Sequence, residues 1–270
     1  MSANRRTSPS ARKSLGQHFL RDQDVLRRIA EALPDDGLPI VEIGPGTGEL
    51  TQVLLATGHN VIAIEIDARM LRHLTVRFAG DERLRLAQGD AREIDFAELT
   101  AGRPYNVAGN LPYFAANPIM RGLLESPHQP RTAVLMLQKE VAQEVAAAPG
   151  KLSLLAISVS VYAEPEYLFD VRPEAFDPPP NVVSGVVRLE VRPKPLVPQD
   201  RIDEFFDVAA KTFRHARKQI HNALSRALSL PPDVANDVLE AAGIDGTRRP
   251  ETLSVEEWLR VVDEARKVRA

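Results

Sequence analysis

The regular alternation of short apolar runs with amphipathic segments constrains the fold of this chain more than any other feature of its sequence. Seven runs have the length and composition of buried strands: Ile40–Gly44, Val61–Ile66, Leu84–Gln88, Tyr105–Ala108, Ala133–Leu137, Leu154–Tyr162 and Val182–Val191. Segments with helical periodicity, such as Gly48–Ala56 and Ala68–Ala79, separate the first five. This alternation predicts an α/β fold with a mainly parallel sheet and right-handed crossovers. The last two runs have no helix between them, and we expect them to pair antiparallel.

A Pro-rich stretch marks the boundary between two predicted domains. Residues 193–199 contain three prolines, which favour an extended connector over regular structure. Beyond it the pattern is helical, in the segments Ile202–Phe213, Arg217–Ser229, Pro232–Ala242 and Val255–Val268. We therefore predict a flexible basic arm over 1–13, an α/β domain over 14–192, a linker over 193–199 and a helical domain over 200–270.

The composition narrows the class of protein. A chain of 270 residues is long enough to bury a sizeable core. It has no cysteine, which excludes disulfides, thiolate metal sites and cysteine nucleophiles. No apolar run approaches the roughly 20 residues of a membrane span, and no signal-peptide core precedes the fold. We expect a cytoplasmic protein with no membrane partner.

The net charge of −3 conceals two basic segments on an acidic body. Residues 1–21 and residues 208–226 each contain five Lys or Arg and no acid. Together they predict either a phosphate-binding surface or a solvated tail and a solvated helix face. Charge alone does not decide between these interpretations.

Three successive strand ends carry residues that suit an adenosine-containing cofactor. Gly44, Gly46 and Gly48 follow the first strand, Glu65 ends the second and Asp90 follows the third. Glycine permits a sharp turn and close approach of a ligand, and a carboxylate can accept both ribose hydroxyls. The alternative is three unrelated turns. The spacing differs from the GxGxxG of dinucleotide binders and resembles that of S-adenosylmethionine methyltransferases, although a dehydrogenase remains the rival for this turn taken alone.

The stretch Asn110-Leu-Pro-Tyr113 at the fourth strand end indicates the chemistry. An adenine exocyclic amine is a poor nucleophile because its lone pair is delocalised into the ring. Acceptors for its two hydrogens would help it to become tetrahedral, and the Asn110 side-chain oxygen and the Leu111 carbonyl can supply them. Pro112 fixes the turn, and Tyr113 offers a ring on which a base can stack. Positioning and electrostatics would provide most of the catalysis.

In this order the motifs resemble those of the ribosomal RNA adenine dimethyltransferase family, and of its small-subunit (16S) members in particular. The resemblance extends nearly from end to end, through Lys13–Leu20, Glu42–Thr51, Ile64–Asp67, Gly89–Asp90, Asn110–Tyr113, Leu137–Ala142, Phe176–Ser184 and Arg249–Ser254. It implies a class I S-adenosylmethionine-dependent methyltransferase fold. That fold is a Rossmann-like seven-stranded sheet whose last strand is antiparallel, followed by a small all-helical domain.

The same resemblance implies S-adenosyl-L-methionine as the cofactor and no metal ion. The implied cofactor contacts are Gln17, His18, Leu20, Gly44, Gly46, Glu65, Asp90 and Asn110. His18 stands where relatives often have Asn, and a neutral imidazole can still form a hydrogen bond there.

The resemblance also implies how RNA would be held. Phe176 would join the Asn110–Tyr113 stretch as a catalytic residue, facing the target base opposite Tyr113; the alternative is that Phe176 is a core residue beside a strand. The implied RNA-binding residues are Arg12, Lys13, Arg214, Arg217 and Lys218, and we expect Arg217 and Lys218 to lie on a basic helix.

The expected function is dimethylation of two adjacent adenosines in the 3′-terminal loop of 16S ribosomal RNA, by a monomer acting on the immature small subunit. Three alternatives remain open at this point. They are a large-subunit methyltransferase of the erythromycin-resistance type, an RNA-binding assembly factor whose chemistry is secondary, and a nicotinamide dehydrogenase.

Overall fold

The chain folds into two compact units, which the computed structural model describes for residues 9–12, 16–148 and 150–269. The α/β unit consists of the described residues up to Ala142 together with Glu166–Val191. The helical unit consists of Gln143–Pro165 and the described residues from Arg192 onward. The chain therefore passes between the units three times. The predicted linker at 193–199 follows the last of these passages, whereas the first two lie inside the predicted α/β domain.

Nine strands occur in the described residues: β1 (Phe19–Leu20), β2 (Ile40–Ile43), β3 (Val61–Glu65), β4 (Leu84–Gln88), β5 (Asn106–Asn110), β6 (Thr132–Gln138), β7 (Ala163–Val171), β8 (Phe176–Asp177) and β9 (Ser184–Val191). Seven of them form one sheet in the order β4-β3-β2-β5-β6-β9-β7, and β1 pairs with β8 in a separate two-stranded ribbon. Pairing is parallel from β4 to β6, and β9 runs antiparallel to β6. The predicted seven-stranded sheet with an antiparallel last strand is confirmed.

The described helices fall into two groups. Those that begin in the α/β unit are α1 (Gln23–Glu31), α2 (Glu49–Ala56), α3 (Ala68–Arg77), α4 (Phe96–Thr100), α5 (Ala116–Glu125) and α6 (Lys139–Val145). Those of the helical unit are α7 (Leu154–Tyr162), α8 (Ile202–Phe213), α9 (Ile220–Leu228), α10 (Pro232–Ala241) and α11 (Val255–Arg269). Short 3₁₀ turns precede β8, α8 and α11.

Parallel register places the carboxyl ends of four strands at one edge of the sheet. Ile43 at the end of β2 pairs with Ile64 of β3 on one side and with Gly109 of β5 on the other. Glu65 of β3 pairs with Gln88 of β4. The residues that follow these strands are therefore brought together although they are far apart in the sequence.

The core of the α/β unit is built from these strands and the helices that cover them. Leu26 of α1 and Leu54 of α2 are fully buried, and they belong to one cluster with Ile40, Val134 and Val186 of the sheet. Helix α1 begins at an N-cap, Asp22, whose carboxylate accepts hydrogen bonds from the first turn. In the helical unit the largest fully buried side chains are Trp258 and Phe205.

The prediction of a strand over Leu154–Tyr162 is wrong, because this segment is helix α7. Its three β-branched residues favour a strand, but it is buried on most sides, and a buried helix and a buried strand have the same apolar sequence. The helix packs against α8 and α11 of the helical unit. Its start is fixed by Ser153, whose hydroxyl accepts from the Ala156 N–H at 3.1 Å. The seventh strand of the sheet is instead β7, which lies outside the predicted strands.

Gly185 in β9 has no room for a side chain. A Cβ atom there would lie 2.8 Å from Ala142 Cβ and 2.9 Å from the Tyr167 ring. We expect Gly185→Ala to lower the free energy of unfolding by about 1–3 kcal/mol through overpacking. Gly122→Ala is the matched control: nothing lies within 4 Å of its Cβ position in α5, so helix propensity should raise stability by up to ~1 kcal/mol. Urea midpoints that shift in the same direction for both variants would contradict this account.

Candidate active site

A cavity of about 150 Å³ lies at the carboxyl edge of the sheet in the α/β unit. Its walls are the turn after β2, the ends of β3, β4 and β5, and the N-terminal segment from Gly16 to Leu20. All eight residues expected to contact the cofactor line it: Gln17, His18, Leu20, Gly44, Gly46, Glu65, Asp90 and Asn110. Leu111, Pro112 and Tyr113 line it as well.

The turn after β2 depends on glycine at three positions. Gly44, Gly46 and Gly48 have φ values of +70°, +56° and +90°, in the left-handed region that other residues rarely adopt. A Cβ on Gly46 would lie 2.9 Å from the Phe19 ring, and one on Gly48 would lie 2.7 Å from Phe78. Glycine is therefore required at Gly46 and Gly48 by packing as well as by the backbone conformation.

Glu65 joins the glycine turn to the end of β3. Its Oε2 accepts from the Gly46 N–H at 3.2 Å, and its Oε1 accepts from the Asp67 N–H at 2.8 Å. The residue is 4% exposed, and burial raises the pKa of its carboxyl group. Each oxygen keeps a further lone pair, so the carboxylate can accept two hydroxyl groups of a ribose.

Asp90 is held by an arginine that the sequence reasoning missed. Arg92 Nε lies 3.0 Å and 3.1 Å from the two carboxylate oxygens of Asp90, and its Nη2 lies 2.5 Å from Oδ2. The guanidinium holds the pKa of this carboxyl below its usual range. The signal was present, because Asp-x-Arg recurs at Asp67–Arg69 and Asp81–Arg83 with the same local ion pair.

Two further cavity residues were not predicted. Ile66 follows Glu65 and is 51% exposed, so it offers an apolar surface beside the two acids that suit an adenosine. Glu49, at the start of α2, forms ion pairs with Arg21 and with Arg77, the latter at 3.0 Å. These pairs fix the helix start against the glycine turn.

Strand β1 lines the cavity, and it pairs with β8 in the two-stranded ribbon. Leu20 pairs with Phe176, and the Arg21 N–H donates to the Ala175 carbonyl at 2.7 Å. His18 extends this connection, since its Nδ1 lies 2.8 Å from the Pro178 carbonyl oxygen. A carbonyl oxygen can only accept, so Nδ1 carries a proton and donates this hydrogen bond.

Asn110 is oriented by the same N-terminal segment. Its Nδ2 donates to the His18 carbonyl oxygen at 3.0 Å. Because that oxygen can only accept, the amide cannot be flipped, and Oδ1 must point away from it. Among the described residues, Oδ1 has no hydrogen-bond partner. The side chain therefore presents a fixed, unoccupied acceptor.

The next three residues complete the turn that follows β5. The Leu111 N–H donates to the Met136 carbonyl at 3.2 Å, and the Ala115 N–H donates to the Pro112 carbonyl at 2.9 Å. The Tyr113 hydroxyl lies 2.8 Å from Ser184 Oγ, and burial raises the pKa of this phenol, which keeps it neutral. Its ring is stacked with that of His18, at a centroid separation of 6.4 Å and an interplanar angle of 21°.

Phe176 does not line the cavity formed by the described residues. It is 5% exposed and belongs to the hydrophobic core of the α/β unit. Pairing of β8 with β1 sets Phe176 opposite Leu20 and accounts for this burial. The position of the ring matches the alternative expectation, a core residue beside a strand, and gives no support to a role facing the target base.

Gln17 ties the N-terminal segment to β3. Its Oε1 accepts from the Arg12 N–H at 2.8 Å, and its Nε2 lies 3.4 Å from Asp67 Oδ2. Arg12 is exposed, as expected of an RNA-binding residue. The other basic residue expected in this arm, Lys13, lies outside the described residues.

The three basic residues expected to bind RNA in the helical unit lie on a turn. Arg214, Arg217 and Lys218 are all exposed, between the end of α8 and the start of α9 at Ile220. The prediction that α9 begins at Arg217 was therefore three residues early. No ion pair engages these side chains within the described part of the chain.

No group of three His, Asp or Glu residues that could hold a metal ion occurs within 9–12, 16–148 and 150–269. In the same residues, no helix is both long enough and apolar enough to cross a membrane.

Glu42 is a buried acid that the sequence reasoning did not single out. It is 1% exposed, and the Thr51 hydroxyl donates to its Oε2 at 2.6 Å. Burial, with smaller contributions from Glu49 and Glu65, raises the pKa of Glu42 to about 8. The cavity wall thus contains a carboxyl group that stays protonated at neutral pH.

Stability should fall with rising pH because of Glu42. Between about pH 4.5 and pH 8 the unfolded chain ionises this group while the folded protein keeps it protonated, so the folded state binds more protons. The melting temperature of the wild type relative to Glu42→Gln should therefore decrease as the pH is raised from 5 to 8. Glu82→Gln, at an exposed position, is the control and should track the wild type. Parallel melting curves for the wild type and Glu42→Gln would show that burial of Glu42 is not the cause.

Comparison with known proteins agrees with this geometry. The family model for ribosomal RNA adenine dimethylase matches residues 9–267. The chain is 40% identical to ribosomal RNA small subunit methyltransferase A of Alkaliphilus metalliredigens, with coverage of 93% of this chain and 91% of the relative. It is 41% identical to the protein of the same name from Moorella thermoacetica, with coverage of 92% and 90%.

Two solved structures share the fold over almost the whole chain. A dimethyladenosine transferase from Plasmodium falciparum superposes with a TM-score of 0.81 at 27% identity, covering 93% of this chain and 98% of the other. The 23S rRNA methyltransferase ErmE superposes with a TM-score of 0.74 at 28% identity, covering 91% and 98%. With a family model that spans nearly all of its residues and relatives at about 40% identity, the chain belongs to the ribosomal RNA adenine dimethylase family.

Proposed function

We propose that this protein dimethylates the exocyclic amine of two adjacent adenosines in the 3′-terminal loop of 16S ribosomal RNA, using S-adenosyl-L-methionine. The observation that carries this proposal is the fixed side chain of Asn110. Its amide is oriented by the His18 carbonyl, so Oδ1 is presented as an acceptor at the edge of the cavity. An acceptor held in this way suits an amine whose hydrogens must be bound while its lone pair remains free to react.

The residues of the cavity fit the proposed cofactor. Glu65 offers two carboxylate oxygens for a ribose, Asp90 offers an acceptor for an adenine amine, and Ile66 supplies an apolar surface between them. Gly44 and Gly46 line the cavity without side chains, so their backbone can approach the methionine end closely. When bound, S-adenosyl-L-methionine supplies an activated methyl group.

The turn after β5 performs the remaining tasks. Asn110 Oδ1 and the Leu111 carbonyl accept the two hydrogens of the target amine, which makes its nitrogen more tetrahedral. Tyr113 offers a half-buried ring on which the target base can stack. The hydrogen bond between the Tyr113 hydroxyl and Ser184 Oγ holds that ring in place. No strong base is required, because the amine proton becomes acidic once the nitrogen carries an additional methyl group. The contribution of the protein is positioning and electrostatic preorganisation.

The names of the relatives support the small subunit as the site of action, since both are small subunit methyltransferases. The proposal includes a monomer that works in the cytoplasm on the immature small subunit. Arg12 and the basic turn formed by Arg214, Arg217 and Lys218 would contact RNA phosphates, which they can reach because they are exposed. Lys13 belongs to the same proposal by its position in the sequence.

Labelling of ribosomal RNA tests the function. The purified protein is incubated with S-adenosyl-L-methionine carrying a labelled methyl group and with immature small or large ribosomal subunits. We expect label on adenine of the small-subunit RNA, and mass mapping should place two methyl groups on each of two adjacent adenosines near the 3′ end. Label confined to large-subunit RNA would reject the proposal in favour of an activity like that of ErmE. Light scattering on the same sample tests whether the protein is a monomer in solution.

Asn110→Ala should abolish most methyl transfer without abolishing cofactor binding. Loss of one preorganised hydrogen-bonding group typically lowers kcat by about 10²–10³, whereas the Glu65 and Asp90 contacts remain. Calorimetry with S-adenosylhomocysteine measures cofactor affinity separately from transfer. Asn117→Ala, at an exposed position of α5, is the matched control and should retain activity. If Asn110→Ala transfers methyl groups at the wild-type rate, the assigned role of this residue is wrong.

A further inference from the structure

Phe114 is an exposed aromatic residue at the cavity that the proposed chemistry does not use. It is 63% exposed, and it lines the same cavity as Asn110 and Tyr113. Three other large hydrophobic residues of the described chain are strongly exposed, namely Ile66, Val76 and Val268. Ile66 lies beside the acids that suit an adenosine, and the two valines are not at the cavity. Phe114 is therefore the one exposed aromatic side chain of the described residues placed where RNA would enter.

The local backbone fixes the position of the ring. Tyr113 and Phe114 are the two central residues of the turn closed by the Ala115 N–H and the Pro112 carbonyl, at 2.9 Å. A Cβ on Gly16 would lie 3.6 Å from Phe114 Cε1, so the ring rests against the N-terminal segment along one edge. The Tyr113 hydroxyl is hydrogen-bonded to Ser184, whereas Phe114 remains largely exposed to solvent.

Two aromatic residues at successive turn positions can serve two successive bases. Unpaired RNA bases that have left their own stack are commonly held on aromatic rings. Tyr113 is half-buried next to Asn110 and suits the base that reacts. Phe114 is more exposed than Tyr113 and suits a base that does not enter the cavity.

We propose that Phe114 is a positioning residue on which the nucleotide next to the target adenosine stacks. This inference rests on the proposed function, because it requires that an RNA adenosine be the substrate. Stacking on Phe114 would hold the RNA strand at the mouth of the cavity while the target base occupies it. Because any base has a face that can stack, Phe114 does not require a particular base as the neighbour.

A double-mutant cycle tests the contact. The RNA is a loop fragment that the wild-type protein has been shown to methylate, so the proposed function is established before the comparison begins. Its dissociation constant is measured for the wild type and Phe114→Ala, with the neighbouring nucleotide either intact or abasic. We expect Phe114→Ala to weaken binding of the intact RNA about 5- to 150-fold. The abasic RNA should bind the wild type with a similar loss, and Phe114→Ala should then cause little further loss.

Three further variants separate stacking from simple apolar contact. Phe114→Trp and Phe114→Tyr should retain affinity, and Phe114→Leu should lose it, because leucine is apolar but has no aromatic face. Val76→Ala, at an exposed hydrophobic position of α3 away from the cavity, should bind RNA as the wild type does. Calorimetry with S-adenosylhomocysteine should give the same affinity for Phe114→Ala and the wild type.

Each contrary result overturns the proposal. Equal losses on intact and abasic RNA would show that Phe114 does not contact the neighbouring base. Full retention of affinity by Phe114→Leu would reduce the role to a hydrophobic contact. A loss of S-adenosylhomocysteine affinity in Phe114→Ala would assign the ring to the cofactor instead. Failure of the wild type to methylate any adenosine would refute the proposed function itself, which is a different outcome.

Discussion

The parallel pairing of β2 with both of its neighbours is the constraint on which the site depends. Ile43 is in register with Ile64 on one side and Gly109 on the other, so the strands β2, β3 and β5 end close together. A crevice opens where strand connections part in this way. The glycine turn lines this crevice, and it requires glycine because a side chain at Gly46 or Gly48 would collide with aromatic rings. The hydrogen bonds that Glu65 accepts from that turn and from the residue before α3 then fix the relative positions of the strand ends.

The N-terminal segment converts this crevice into a specific site. It crosses the strand ends as β1, pairs with β8, and uses the His18 carbonyl to orient Asn110 and the His18 ring to hold Pro178. One residue therefore connects the turn after β5 with the loop after β8. The His18 ring is also stacked with the Tyr113 ring, which belongs to the turn after β5. The acceptor geometry that the proposed chemistry needs is thus set by contacts between parts of the sequence about ninety residues apart.

Local patterns in the sequence were sufficient to predict the first five strands of the sheet, the glycine turn and the acids that follow it. These features depend on apolar periodicity and on backbone requirements, both of which a single sequence records. Tertiary features were not accessible in this way. The apolar stretch over Leu154–Tyr162 is equally compatible with a strand and with a buried helix, and only its partners α8 and α11 decide. The resemblance implies that Phe176 faces the target base, and a single sequence does not reveal its pairing opposite Leu20 or its 5% exposure. Glu42 could not be recognised as a protonated acid because burial, which raises its pKa, is a property of the fold.

The placement of α7 has a consequence for biosynthesis. This helix belongs to the helical unit, but β7 to β9 follow it in the chain before α8, the next helix of that unit, begins at Ile202. Translation therefore produces α7 before α8 and α11, the helices that pack against it. During that interval an apolar helix has no permanent neighbour, and the helical unit cannot complete its core until the last residues emerge. Completion of the helical unit therefore has to wait for α11, although α7 is synthesised before β7 to β9 of the α/β unit.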